Sequence, residues 1–355
     1  MNRLDALYQK WNALQPLNPG KQHLLSQRFT VDYNYNSNHI EGNTLTYGQT
    51  ELLLLLGKVT GEGDLKDYND MKASQVGFEM VKESLALKDV LLTQNFIRQL
   101  HKILLREDYT IYRNLPGGVQ TSYIVHAGRY KTRPNSVITR YGDRFEYASP
   151  EETPALMADL VDWYNEAERS GECTPIELAA LFHYRYIRIH PFEDGNGRIA
   201  RLLVNYILAR HDWPMIVVRA RNKHDYLEAL HQTDIRIGST PSIGAHATMK
   251  QASPFIKFFT KLVETELKYY IAFALESSPN VWWHDGQKIV FRSNSSAEIL
   301  TTISDNPYIT IENIAARVGI VPRAVKNQLA HMTNKGYIQR READKGWYVF
   351  ASKSV

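Results

Sequence analysis

Twelve consecutive residues, His190 to Arg201, read His-Pro-Phe-Glu-Asp-Gly-Asn-Gly-Arg-Ile-Ala-Arg. They gather an imidazole, an acid, two glycines around an asparagine, and two arginines. His190 can take a proton at neutral pH. Gly195, Asn196 and Gly197 stand where a helical pattern begins. The first N–H groups of a helix lack internal partners and the macrodipole is positive there, so these residues form an anion cradle. Glycine lets the backbone approach a phosphate with no Cβ in the way. Arg198 and Arg201, three residues apart, can project from one helix face with planar forks suited to phosphate oxygens. Asp194 would repel a bare phosphate and makes sense with Mg²⁺ between them. The set reads as phosphoryl or nucleotidyl transfer to a nucleophile that must be deprotonated. Taken singly, each residue has a plainer reading: a satisfied structural histidine, solvated helix arginines, an Asp-Gly turn. The joint pattern outweighs them.

Two helices must hold this stretch. Thr174-Pro175-Ile176-Glu177 has the form of a capping box with proline at the first helical position, which predicts a helix to about Arg188. Downstream, Ile199, Leu202, Leu203, Tyr206 and Ile207 follow the spacing of a buried helical face. The motif is a tight loop between two core helices.

The twelve residues resemble the signature of the Fic family, His-x-Phe-x-Asp/Glu-Gly-Asn-Gly-Arg-x-x-Arg, at every specified position. The resemblance implies a mainly α fold: a helical core with a small β-hairpin flap. It implies transfer of AMP from ATP to a Tyr, Ser or Thr hydroxyl of a target protein, with pyrophosphate leaving. His190 would be the base, Asp194 the Mg²⁺ ligand, and Gly195, Asn196 and Gly197 the anion hole. Arg198 and Arg201 would bind phosphate, and Phe192 would pack the loop in place. Upstream, Ser37, Glu41 and Gly42 match the family's inhibitory motif, Ser/Thr-x-x-x-Glu-Gly/Asn. An arginine, Arg201 of the motif, is the partner this implies for Glu41. Gly128 to Val137 is similar to the family's flap, a hairpin that aligns the target segment by strand pairing.

The rest of the chain is read for organisation. Residues 1–92 are predicted to be helical, with breaks at Pro16 and Pro19-Gly20, a helix over about 22–33, and then an Asn-rich stretch poor in helix formers. Thr46 is a candidate helix cap. The catalytic core is expected over 93–278, beginning with the amphipathic run Phe96-Ile97-Leu100-His101-Leu104-Leu105. Leu115 to Tyr147 changes character: Gly117-Gly118, then Val137-Ile138-Thr139 and Phe145-Glu146-Tyr147 around Tyr141-Gly142-Asp143, are a hairpin signal. Tyr226 falls where Fic proteins place residues near the nucleotide base. Residues 283–355 read as helix, turn, helix and a two-stranded wing around Lys345-Gly346. That pattern resembles a winged helix-turn-helix, with Arg323, Lys326, Arg340, Arg341 and Lys345 as a mildly basic face.

At 355 residues and 43% hydrophobic, the chain can bury a full core in two or three domains. A net charge of +4 is mild and does not announce a nucleic-acid protein. Cys173, the only cysteine, excludes an intramolecular disulfide and argues against a thiol enzyme or Cys-based zinc site. No apolar secretory core opens the chain and Leu52 to Leu56 is too short to span a bilayer, so the expectation is cytoplasmic, without membrane attachment. The expectation is an adenylyltransferase autoinhibited by Glu41. Three others stay open: a Fic enzyme that removes AMP or transfers another phosphate-containing group, a DNA-binding regulator whose Fic core senses nucleotide, and an interaction scaffold. DNA, a docking protein or a second copy of the chain could each engage the winged helix.

Overall fold

The computed structural model describes residues 3–87, 89–114, 120–138, 144–341 and 344–353. Helix α1 (Arg3–Asn12) precedes α2 (Pro19–Ile40), a single 22-residue helix. The helix expected over 22–33 therefore continues through the Asn-rich stretch. Asn34, Asn36, Ser37 and Asn38 are all buried, and their side chains find partners. Asn34 Nδ2 donates to the Thr30 carbonyl at 2.9 Å, and Asn36 Oδ1 accepts from the Ala220 N–H at 2.7 Å. Asn38 Nδ2 reaches Met71 Sδ at 3.6 Å. For Asn36 and Asn38, tertiary partners override a weak helix propensity.

Helix α3 (Tyr47–Leu56) opens on the expected Thr46 cap, a complete capping box with Gln49, and closes at left-handed Gly57. Helices α4 (Leu65–Ser84) and α5 (Gln94–Leu105) come next, α5 capped by Thr93. Strands β1 (Tyr109–Asn114) and β2 (Gln120–Val125) form an antiparallel hairpin whose strands the sequence reading does not anticipate. Strands β3 (Ser136–Ile138) and β4 (Arg144–Glu146) form the expected one, with Ser136 opposite Glu146. Its predicted turn at Tyr141-Gly142-Asp143, like Gly117-Gly118, lies outside the described residues. Then come α6 (Thr153–Ser170), α7 (Pro175–Ile189), α8 (Asn196–Arg210), α9 (Lys223–Ile237), the short α10 (Pro241–Ala245) and α11 (Ser253–Leu275). The C-terminal segment holds β5 (Val281–His284), β6 (Gln287–Val290), α12 (Asn294–Asp305), α13 (Ile311–Val318), α14 (Pro322–Asn334), β7 (Ile338–Arg340), β8 (Trp347–Val349) and β9 (Ser352–Lys353). No helix among the described residues is long and apolar enough to cross a membrane.

The fold is mainly α, and the chain divides into two compact units. One comprises the described residues of Asn36–Thr44 and Asp64–Glu264; the other, those of Met1–Tyr35, Leu45–Gly63 and Thr265–Val355. The first unit is built on α7 and α8. Phe182, Tyr184, Tyr186 and Ile189 of α7 and Ile199, Leu203 and Ile207 of α8 are fully enclosed. Each such aliphatic or aromatic side chain contributes roughly 1.5–3 kcal/mol on burial. Arg188, also enclosed, ties α7 to α9 and to the turn into α10. It pairs with Asp234 at 2.9 Å and donates to the carbonyls of Gly238 and Thr240.

In the second unit, α12, α13 and α14 pack Ile299, Leu300, Ile303, Ile314, Val325, Leu329 and Met332 against Ile338 and Trp347 of the β7–β8 wing. The turn of that wing passes through left-handed Lys345. This is a winged helix-turn-helix domain. Arg323, Lys326 and Arg340 are exposed. Arg341 pairs with Asp344 and lies over the rings of Tyr308 and Tyr348.

Candidate active site

Helix α7 starts at the Thr174–Glu177 capping box and ends at His190, which adopts the left-handed conformation (φ 51°, ψ 61°). That conformation is unusual for a residue with a side chain and marks a constrained position. Residues 191–195 turn the chain, and Gly195 at φ 77° leads into α8. The turn is tied from inside. Asn196 Oδ1 accepts from the Phe192 N–H at 3.0 Å, and its Nδ2 donates to the Phe192 carbonyl at 2.7 Å. Phe192 is fully buried and stacks on His101, with ring centroids 3.7 Å apart. Its placement matches the packing role expected for it.

By sequence, His101 belongs only to an amphipathic helix face; in the structure it supports the loop. Its Nδ1 accepts from the Gly128 N–H at 2.9 Å, so Nε2 carries the proton and donates to the Asp194 carbonyl at 3.1 Å. Burial pushes this imidazole down to about 4, so it stays neutral.

His190 is neutral too. Burial, with the Lys131 ammonium adding to it, pushes its imidazole down to about 3. Tyr147 stacks on the ring at 3.8 Å. Asp194 has the opposite character. Burial alone would raise its carboxyl, but the Arg198 guanidinium, the Tyr109 hydroxyl and the Gly195 N–H hold it below the usual range. Tyr109 donates to Oδ2 at 2.7 Å and Gly195 to Oδ1 at 2.6 Å. The Gly195 N–H is thus already engaged, whereas those of Asn196, Gly197 and Arg198 open the helix without partners inside it. Arg198 Nη2 stands 3.4 Å from Asp194 Oδ2, and its Nε is buried with no partner among the described residues.

Ser37 and Glu41 meet Arg201, 164 and 160 positions away. Arg201 donates from Nε to Ser37 Oγ at 3.0 Å, and from Nη2 to the Ser37 carbonyl at 2.7 Å and to Glu41 Oε1 at 2.6 Å. The carboxylate lies directly on Gly197: a Cβ there would stand 2.2 Å from Glu41 Oε1. Only glycine leaves that space. An anion, Glu41, therefore sits where the first turn of α8 favours one. Tyr226, buried in α9, hydrogen-bonds His183 Nε2 at 2.8 Å and also Arg201.

Among the described residues no group of three or more His, Cys, Asp or Glu side chains could hold a metal. The fit to Mg²⁺ therefore rests on Asp194 alone. It is ionised and 41% exposed, and a magnesium ion bound with substrate phosphates and water needs no more than one or two carboxylates.

A Fic/DOC family model matches residues 91–208, which contain the loop, and a winged helix-turn-helix DNA-binding model matches residues 295–339. The chain is 50% identical to a Fic domain-containing signalling protein from Bacteroides thetaiotaomicron. That alignment covers 78% of this chain and 98% of that one, with a TM-score of 0.72. The chain belongs to the Fic family. A curated relative, the protein adenylyltransferase fic-1 of Caenorhabditis briggsae, is 30% identical over 70% of this chain. Fic-1 of Caenorhabditis elegans (residues 134–508 in that structure) is 26% identical at a TM-score of 0.58, covering 76% of this chain and 71% of that one. The chain spans less than half the length of the curated Fic relatives it matches, 43% for the C. briggsae protein.

Sequence reasoning missed Lys131, Asn135, Tyr109 and Tyr147 around the Fic loop. Tyr109 and Tyr147 lie in or beside hairpin strands whose register no spacing encodes. Lys131 stands out in the sequence only as part of the flap segment, and its partners include main-chain carbonyls.

Proposed function

We propose that this Fic protein is a protein adenylyltransferase that moves AMP from ATP to a hydroxyl of a target protein and is held off by Glu41. The observation that carries the reading is Arg201 gripped by Ser37 and Glu41 above Gly197, at a loop that keeps a neutral histidine beside an ionised aspartate. Curated relatives named protein adenylyltransferases support the same activity.

In this reading the target oxygen attacks the α-phosphate, and the bond from that phosphorus to the bridging oxygen breaks. Pyrophosphate leaves with that oxygen, and His190 takes the hydroxyl proton. Burial keeps the His190 imidazole neutral at physiological pH, so one ring nitrogen is free of a proton when the hydroxyl arrives. The N–H groups of Asn196 and Gly197, which open α8, and the guanidinium of Arg198 would hold phosphate oxygens, as preorganised donors stabilise charge in such transfers. Asp194 would hold Mg²⁺, which when bound supplies positive charge to the phosphates. Arg201 would grip the γ-phosphate once released from Glu41. The catalytic core is assigned to 93–278, the inhibitory region to 1–92 and the winged helix to 283–355. The winged helix adds a second reading, DNA binding, supported by the family model and by exposed Arg323 and Lys326.

The experiment is incubation of the full chain, its Glu41→Gly variant and a Glu41→Gly/His190→Ala double variant with Mg²⁺ and each of ATP, GTP, CTP and UTP, read by intact mass. The expected result is an AMP adduct on Glu41→Gly, at least about a hundredfold slower without His190. An adduct from another nucleotide alone would reassign the donor. No adduct from any of them would overturn the transfer.

A further inference from the structure

Lys131 is buried to 3% exposure with no carboxylate in ion-pair contact among the described residues. Burial lowers its basicity to about 7, and the ammonium is favoured there when all three of its protons are matched. Here they are: Nζ donates to Asn135 Oδ1 at 2.8 Å, to the Ile189 carbonyl at 3.1 Å and to the His190 carbonyl at 2.9 Å. Its main-chain N–H donates to the Pro191 carbonyl at 2.9 Å. Asn135 Nδ2 then reaches the Phe192 carbonyl at 3.0 Å and the His190 carbonyl at 3.4 Å. Four consecutive carbonyls, 189 through 192, are therefore held by two residues of one short segment. That segment runs directly into β3 at Ser136. The Asn135 carbonyl also accepts from the N–H of Tyr147, the residue whose ring covers His190.

Two residues thus join the root of the β3–β4 hairpin to both the backbone and the stacking partner of His190. A loop needing only stability could be packed with apolar side chains, at no cost of burying an ammonium. An ammonium that reads successive carbonyls fixes position as well as attachment, because each donor direction is specified.

Resting on the adenylyltransferase reading, we propose that Lys131 and Asn135 are positioning residues. They set the register between strand β3, along which the target segment would align, and the imidazole of His190. Neither touches nucleotide or target; both act through the left-handed His190 backbone. Misplacement of a reacting group by about 1 Å can cost on the order of a hundredfold in rate.

The test uses the full chain with Glu41→Gly as parent, and adds Lys131→Met, Lys131→Arg and Asn135→Ala. Auto-modification is followed at varied ATP. Lys131→Met and Asn135→Ala should lower the maximal rate by about ten- to a hundredfold with the half-saturating ATP concentration unchanged, and Lys131→Arg should recover most of it. In parallel, the ring-proton NMR resonances of His190, shifted by the Tyr147 ring, should move in Lys131→Met and Asn135→Ala and stay in place in Lys131→Arg. An unchanged maximal rate in both variants, or a fall with His190 resonances unmoved, would overturn the proposal. The NMR readout needs no nucleotide chemistry. If the parent transfers no AMP, the adenylyltransferase reading fails and the resonances alone decide whether the clip positions His190. If Lys131→Met does not fold, Asn135→Ala, which removes only an uncharged amide, decides by the same readouts.

Discussion

Two arginines of this molecule each hold a carboxylate of the N-terminal half, and the two settings differ in one respect. In the unit containing the winged helix, Arg28 pairs with Glu51 at 3.3 Å, and their side chains are 6% and 13% exposed. Arg28 also donates to the hydroxyls of Tyr47 and Ser352, and Tyr47 donates to Asp32. In the Fic unit, Arg201 pairs with Glu41 at 2.6 Å, the arginine 2% exposed and the glutamate 40%. The first pair is closed on both sides. The second is open on one, so Glu41 can return to water while Arg201 keeps Ser37. A closed pair is a structural fixture, because removing one partner strands a charge; a half-open pair can be released. That difference is what an inhibitory contact needs.

The largest effect expected from this contrast is on stability. Arg28→Met leaves Asp32 and Glu51 buried without their cation and should destabilise the fold by about 3–5 kcal/mol. Glu41→Gln, whose carboxylate is half-open, should shift the unfolding midpoint far less. Equal destabilisation in chemical unfolding would erase the distinction.

Next is a pH effect confined to the closed pair. Burial, against the pull of Arg28, pushes the Glu51 carboxyl up from 4.5 to about 7. The folded state therefore binds more protons than the unfolded one between those values, and stability falls as pH rises from about 4.5 to about 7. Glu51 Oε2 is buried without a partner among the described residues, which fits a carboxyl that gains by protonation. Glu51→Gln should flatten that part of the stability–pH curve, by at most about 1.4 kcal/mol per pH unit. An unaltered slope in urea unfolding at stepped pH would contradict the assignment.

The loop was legible because its chemistry is contiguous. Twelve residues carry the helix-opening N–H groups, the carboxylate and the imidazole, and Thr174 to Glu177 marks the helix that delivers them. The winged helix was legible from the two helix spans and the Lys345-Gly346 turn. What was not legible depends on partners distant in sequence. Asn36 and Asn38 look like helix breakers until Ala220 and Met71 are placed beside them. Gly117-Gly118 marks a turn between β1 and β2 but not which residues pair across it, and α12 lacks a strong periodicity mark. The Lys131 clip is written in main-chain carbonyls, which leave no trace in residue type. Ser37 and Glu41 were found by motif, yet the bare Cα of Gly197 on which the carboxylate rests is a fact of geometry alone.

A smaller effect separates the two contacts on Arg201. Ser37 contributes a hydroxyl acceptor and a main-chain carbonyl, and Ser37→Ala removes only the first. The Ser37 carbonyl and Glu41 still hold the guanidinium after that loss, so auto-modification should rise less than on loss of Glu41. A rise matching loss of Glu41 would make Ser37 the principal restraint.

The central claim, that the half-open Glu41–Arg201 contact holds the enzyme off, is tested most directly by Glu41→Gly. A charge-assisted contact is worth about 1.5–3 kcal/mol, and each ~1.4 kcal/mol is tenfold. The initial rate of auto-modification with ATP and Mg²⁺, followed by intact mass on the full chain, should therefore increase by roughly ten- to a hundredfold over the parent. An equal rate in a variant that folds and binds ATP would contradict the claim.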